Sequence, residues 1–128
     1  MTKKLEIYRC THCGNIIEIM IGNGAPIVCC GEKMELLKEQ TADTSMEKHV
    51  PFIEETEDGY TVRIGENQEH PMNEDHYIQF IELVAGHHIY RQDLSPTDKP
   101  IATFKVPKAD QVSAREYCNI HGLWRKDL

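Results

Sequence analysis

The chain has 128 residues, 40% hydrophobic and 27% charged, which are ordinary globular proportions and argue against a disordered protein. Its formal net charge of −7, from 14 basic and 21 acidic residues, argues against general nucleic-acid binding and against electrostatic attachment to anionic membranes, since both need a basic surface. No stretch approaches the ~18 apolar residues of a membrane span, and no apolar run follows Lys3 and Lys4 as in a secretory signal, so a cytoplasmic address is expected.

Residues 1–36 carry short apolar runs, Leu5 to Tyr8 and Ile16 to Ile21, broken by Gly14, Gly22, Gly24, Pro26 and Gly31. This pattern predicts a few short strands and turns. A segment this small rarely holds itself together without metal, disulfides or a partner. The polar stretch 37–48 reads as a linker, and the chain is expected to divide into domains at 1–37 and 38–128. Beyond the linker, Tyr60, Val62 and Ile64 alternate with Thr61 and Arg63, and Ala102, Phe104 and Val106 alternate with Thr103 and Lys105. Further strands are expected over Tyr77 to Val84, His88 to Leu94 and Val112 to Tyr117, with turns at Asp58-Gly59, Ala85-Gly86, Ser95-Pro96 and Lys99-Pro100. The fold class is therefore all-β, an antiparallel sandwich or barrel.

Thiols dominate the front of the chain and imidazoles the back. Cys10, Cys13, Cys29 and Cys30 precede residue 31, and Cys118 stands alone near the end. In a reducing compartment such clustered cysteines bind metal or do redox chemistry more often than they form disulfides. Cys10-Thr-His-Cys13 is a C-x2-C knuckle whose two sulfurs can face one point, and Cys29-Cys30 would complete a tetrahedron suited to Zn(II) or a single iron. Adjacent residues on an extended chain point oppositely, so the turn at Cys29-Cys30 must be bent. His12, between two of these cysteines, reads as an exposed loop residue.

In the second part, Cys118-Asn-Ile-His121 has the spacing for two ligands from one turn. His49, His70 and His76 fall where loops are expected, and the loops of a sandwich gather at its ends. Four imidazoles and one thiolate would give five ligands and leave one octahedral position open, which suits Fe, Zn or Cu. A blue-copper centre, which wants two histidines, one cysteine and a weak axial ligand, accounts for this set less well. His87 and His88 are adjacent, so on a strand one would face in and one out, and both are assigned to structure.

The runs YRCTHCGN, CCGEKM, MEKHVPFIE, EHPMNEDHYIQFIEL and REYCNIHGLW, in this order, closely resemble desulfoferrodoxin, the two-iron class of superoxide reductase. Tyr77 and Phe80 depart from it, standing where tryptophans are common in the family. The resemblance implies a desulforedoxin-like domain with an iron on Cys10, Cys13, Cys29 and Cys30. It implies an immunoglobulin-like sandwich with a second iron held by His49, His70, His76 and His121 in a plane and Cys118 as the axial thiolate. It implies reduction of superoxide to hydrogen peroxide, catalytic roles for Glu47 and Lys48 beside the second iron, rubredoxin or a similar electron donor, and a homodimer. The alternative is a rubredoxin-like electron-transfer protein, which would have little need of an open coordination position beside a lysine.

Overall fold

In this computed structural model the described residues are 2–41, 49–66 and 69–128, so Glu47 and Lys48 lie outside them. The chain divides into two compact units, Met1–Lys38 and Glu39–Leu128. Among the described residues all regular structure is strand, in twelve elements.

In the first unit, β1 (Ile7–Arg9) lies between β2 (Ile16–Glu18) and β5 (Glu35–Leu36), and β3 (Val28–Cys29) pairs with β4 (Glu32–Lys33) as a separate hairpin. Glycines and cysteines interrupt the apolar runs, so each strand stays short. The buried core is correspondingly small: Tyr8, Cys10 and Met34, with Ile17, Ile19 and Ile27 packed against it. Leu37, expected in a linker, still belongs here, its N–H donating to the Ile7 carbonyl at 2.9 Å.

The second unit is a sandwich of two antiparallel sheets. One sheet has β7 (Gly59–Ile64) between β6 (Pro51–Thr56) and β10 (Ile101–Phe104). The other has the order β12 (Gly122–Asp127), β11 (Val112–Cys118), β8 (Ile78–Ala85), β9 (His88–Asp93). This division of three strands against four is that of the immunoglobulin-like class. Inward positions fill the space between the sheets: Tyr60, Val62 and Ile64 from one side, Ile81, Leu83 and Ala114 from the other, none more than 1% exposed. At the start of β7 a Cβ on Gly59 would overlap the carbonyl oxygen of Phe104, so the β7–β10 approach requires glycine there.

Strands β6 and β12 are not evident in the sequence pattern, and both lie at sheet edges. An edge tolerates the proline that opens β6, and it tolerates the charge-rich ends of both strands. Strand β10 is shorter than its alternation suggests and ends at Phe104, while Val106 still packs on the core. His87 lies in the turn before β9 rather than on the strand, so neither it nor His88 faces inward; both are exposed, with ring centroids 4.4 Å apart.

The central strand β11 also carries buried charge. Arg115 is 2% exposed and Glu82 on neighbouring β8 is fully buried. The Arg115 guanidinium donates to Glu82 through Nε (2.8 Å) and through a second, shorter contact from Nη2, and it reaches Glu39 Oε2 at 3.0 Å. Glu39 also binds Arg125 at 3.1 Å, so this one carboxylate ties β11 to β12. Removing one partner from a buried pair leaves an uncompensated charge, which typically costs about 3–5 kcal/mol. Arg115→Ala is therefore expected to lower the unfolding free energy of the second unit by about that much, read from denaturant titration. Arg125→Ala, whose side chain is 39% exposed, should cost under about 1 kcal/mol.

Candidate metal centres

The first unit brings Cys10, Cys13, Cys29 and Cys30 together. Sγ of Cys29 lies 3.6 Å from that of Cys13 and 4.0 Å from that of Cys30. Metal–sulfur bonds of about 2.3 Å in a tetrahedron place sulfurs about 3.8 Å apart, so the spacing fits a single ion held by four thiolates. The bent turn expected at the adjacent cysteines is present: Cys30 has φ 54° and Gly31 φ 77°, both left-handed. The knuckle turns its backbone towards the sulfurs, with Cys13 N–H donating to Cys10 Sγ at 3.4 Å and Asn15 N–H to Cys13 Sγ at 3.5 Å. In the metal-free chain the Cys13 N–H is the main reason the Cys10 thiol is brought down to about 6, while hydrogen bonds with Cys13 and Cys10 push Cys30 up to about 12. One thiol of the four thus ionises more readily than usual, while the thiols of Cys29 and Cys30 ionise less readily. His12 is exposed, as expected, with Nε2 3.3 Å from Glu32 Oε1.

The second unit gathers His49, His70, His76, Cys118 and His121, with donor atoms all within 4.8 Å of one another. They come from one end of the sandwich. His49 directly precedes Val50 and β6, His70 and His76 lie in the connection from β7 to β8, and Cys118 and His121 flank the turn from β11 to β12. The four imidazoles form a closed ring of contacts. His49 meets His70 and His121 (centroids 4.9 and 4.4 Å), and His76 meets the same two (4.8 and 4.9 Å). His121 Nδ1 is 2.9 Å from His49 Nε2, 3.2 Å from His76 Nε2 and 3.7 Å from Cys118 Sγ. Metal–nitrogen bonds of about 2.1 Å at right angles put nitrogens about 3.0 Å apart, so His49 and His76 flank His121 as neighbours in a square. His70 touches both His49 and His76 and would complete the imidazole set around an ion.

His70 supplies a further test of fit. Its Nδ1 is 2.7 Å from the Pro71 carbonyl, which fixes the proton there. Its Nε2 is buried with no hydrogen-bond partner. A buried, unpartnered imidazole nitrogen beside three more imidazoles and a thiol is the arrangement a metal ion completes. The Cys118 sulfur is itself buried and accepts the N–H of His121 at 3.4 Å. In the metal-free chain burial raises the Cys118 thiol, while the N–H groups of His121 and Ile120 oppose that.

Three residues that the sequence does not single out support these donors. The Trp124 ring stacks on His49 (4.9 Å, 16°), and its Nε1 donates to the His121 carbonyl at 3.2 Å. Gln40 Nε2 donates to the same carbonyl at 2.8 Å. Asn119, inside the Cys-x2-His spacer, bonds to the chain on both sides of His76. Only Asn119 carries a signal in the sequence, a carboxamide placed between two ligands. Glu47 and Lys48 lie outside the described residues.

Comparison with known proteins agrees with both units. The family profile described as desulfoferrodoxin matches residues 41–127, and that of the desulfoferrodoxin N-terminal domain matches residues 2–37. The desulfoferrodoxin of Nitratidesulfovibrio vulgaris is 52% identical over 99% of both chains. The superoxide reductase of Pyrococcus horikoshii is 33% identical over 73% of this chain and 97% of its own. Among solved structures, the superoxide reductase from Treponema pallidum superposes with a TM-score of 0.77, at 27% identity, covering 98% of this chain and 99% of that one. The chain belongs to the desulfoferrodoxin family.

Burial brings the His70 imidazole down to about 4 in the metal-free chain, against about 6.5 for a free histidine. Above about pH 6.5 it is neutral in folded and unfolded chains alike. Between about 6.5 and 4 only the unfolded chain takes the proton, so stability is lost as pH falls through that window. The melting temperature of metal-free protein should therefore fall across this range. His70→Gln should flatten that part of the profile.

Proposed function

We propose that this chain is a superoxide reductase, reducing superoxide with one electron and two protons to hydrogen peroxide, without making dioxygen, as a defence against superoxide. The observation that carries the reading is the set of four imidazoles and one buried thiol converging within 4.8 Å in a member of this family. His49, His70, His76, His121 and Cys118 would hold one iron, and Cys10, Cys13, Cys29 and Cys30 another. Iron held by these five donors would supply the electron for the reaction.

The residues around the donors set the conditions for that chemistry. Backbone N–H groups directed at Cys118 draw charge from its sulfur and fix its direction. Trp124 covers one face of His49 and is itself only 7% exposed, which keeps water from that side. His121 is exposed, so this side of the cluster is open to a small anion.

A chain with a net charge of −7 repels superoxide overall, so a local cation is required. We assign that role to Lys48, which adjoins His49 in sequence and would attract the anion and hold the water that delivers a proton. We assign Glu47 the role of a carboxylate that would offer an oxygen to iron held by the five donors. The proposal extends to a rubredoxin-like electron donor and a homodimer, both by resemblance. It also includes a cytoplasmic location, supported by five free cysteines in an arrangement suited to a reducing compartment.

Reduced, iron-loaded protein mixed with superoxide is expected to yield hydrogen peroxide and no dioxygen; dioxygen evolution, or no reaction, would remove the proposal. Lys48→Ala should slow the bimolecular step about tenfold or more at low salt and flatten its dependence on ionic strength, as measured by stopped-flow mixing.

A further inference from the structure

The geometry points to Asn119 as a positioning residue for the five-donor centre, one that holds His76 in register with Cys118 and His121. This inference rests on reading those donors as one metal site.

The regular β8–β11 ladder ends just short of the ligand turn. The pairing runs without interruption from Val112↔Ala85 to Tyr117↔Phe80, then slips, so that Cys118 is opposite Ile78. One step along β11 there spans two along β8, and the regular ladder goes no further. His76 lies two residues beyond Ile78, in a segment that closes on itself: Asn73 and His76 exchange both backbone hydrogen bonds, at 3.0 and 3.1 Å. Such a turn fixes its own shape but not its place against the ligand turn 118–121.

Asn119 supplies that attachment. Its backbone N–H donates to the Tyr77 carbonyl at 3.3 Å. Its side-chain Oδ1 accepts the Tyr77 N–H at 2.9 Å, and its Nδ2 donates to the Asp75 carbonyl at 3.0 Å. The residues immediately before and after His76 are therefore both bound by one carboxamide. That side chain acts as an extra peptide group and prolongs the pairing past the slip for two more residues. A carboxamide presents one donor and one acceptor in a single plane, and this site faces one acceptor and one donor. A carboxylate would satisfy the Tyr77 N–H but set its second oxygen against the Asp75 carbonyl. An alanine would satisfy neither.

Cys118 directly precedes Asn119 and His121 follows it by two residues, so one residue ties three of the five donors together. His76 is only half-buried, and Nε2 must stay about 3 Å from His121 Nδ1 for both to serve one ion. Packing alone does not set that distance. The hydrogen bonds of Asn119 do.

The test compares full-length Asn119→Asp and Asn119→Ala with wild type after loading with iron. Both variants are expected to release metal from the five-donor centre about tenfold or more faster and to shift its cysteine-to-ferric charge-transfer band. The four-thiolate absorption should stay unchanged, and the melting temperature of the metal-free protein should fall by no more than a few degrees, as expected for the loss of two hydrogen bonds. A merely structural role would leave the band where it is. Wild-type band energy and release rate in both variants would overturn the inference. A second measurement needs no variant: in wild-type protein carrying Zn(II), the Tyr77 amide should exchange with solvent about a hundredfold or more slower than an open amide. Free exchange there would also overturn it. Failure of wild type to hold iron at the five donors at all would instead count against the proposed function, and the Tyr77 amide would still decide the part played by Asn119.

Discussion

The pairing of β11 with β8, and the place where it stops, is the constraint on which the second unit depends. β11 is an interior strand with buried side chains on both faces, so its register is strongly specified. A shift of one residue would turn Arg115 away from Glu82 and Cys118 away from the imidazoles. Because the register is held, Cys118 arrives at the end of the ladder already buried, and the turn to β12 carries His121 round to meet it. The remaining donors arrive from other connections at the same end, and each is held by one or two local contacts.

The two clusters invert the relation between metal and fold. In the first unit the sulfurs are mostly exposed or half-exposed and the apolar core amounts to a few side chains. There a bound ion would hold the polypeptide, as expected of a segment too small to fold on apolar burial alone. In the second unit a closed apolar core lies between two sheets, and the donors stand in and beside the connections at one end of it. The same residue types thus perform different physical work, and the amount of buried apolar surface behind them decides which.

Much of this could be read in the sequence, for identifiable reasons. Cys10-x2-Cys13, the Cys29-Cys30 pair and Cys118-x2-His121 are local patterns whose spacing already constrains geometry. Strands β7, β8, β9 and β11 showed alternation or an apolar run between turn residues. Strands β6 and β12 did not, because an edge strand need not alternate. Membership of His49, His70 and His76 in one site came from resemblance; spacing alone is silent when ligands converge from separate connections. Arg115 and Glu82 are not singled out by the sequence, since nothing in a single sequence says that two charges thirty-three residues apart are buried together. Gln40 was unreadable for a similar reason. Its partners at His121 and Leu123 are more than eighty residues away.

Gln40 has one more effect, on how the molecule meets copies of itself. Its N–H donates to the Leu123 carbonyl at 3.0 Å and its carbonyl accepts the Arg125 N–H at 2.8 Å, so a single residue lies along the outer side of β12 as a fragment of strand. Those backbone groups would otherwise form a row ready to be copied by any extended chain that passed. By occupying two of them beside the turn that carries His121, Gln40 keeps foreign β-structure from growing outward at the place where a misplaced strand would do the site the most harm.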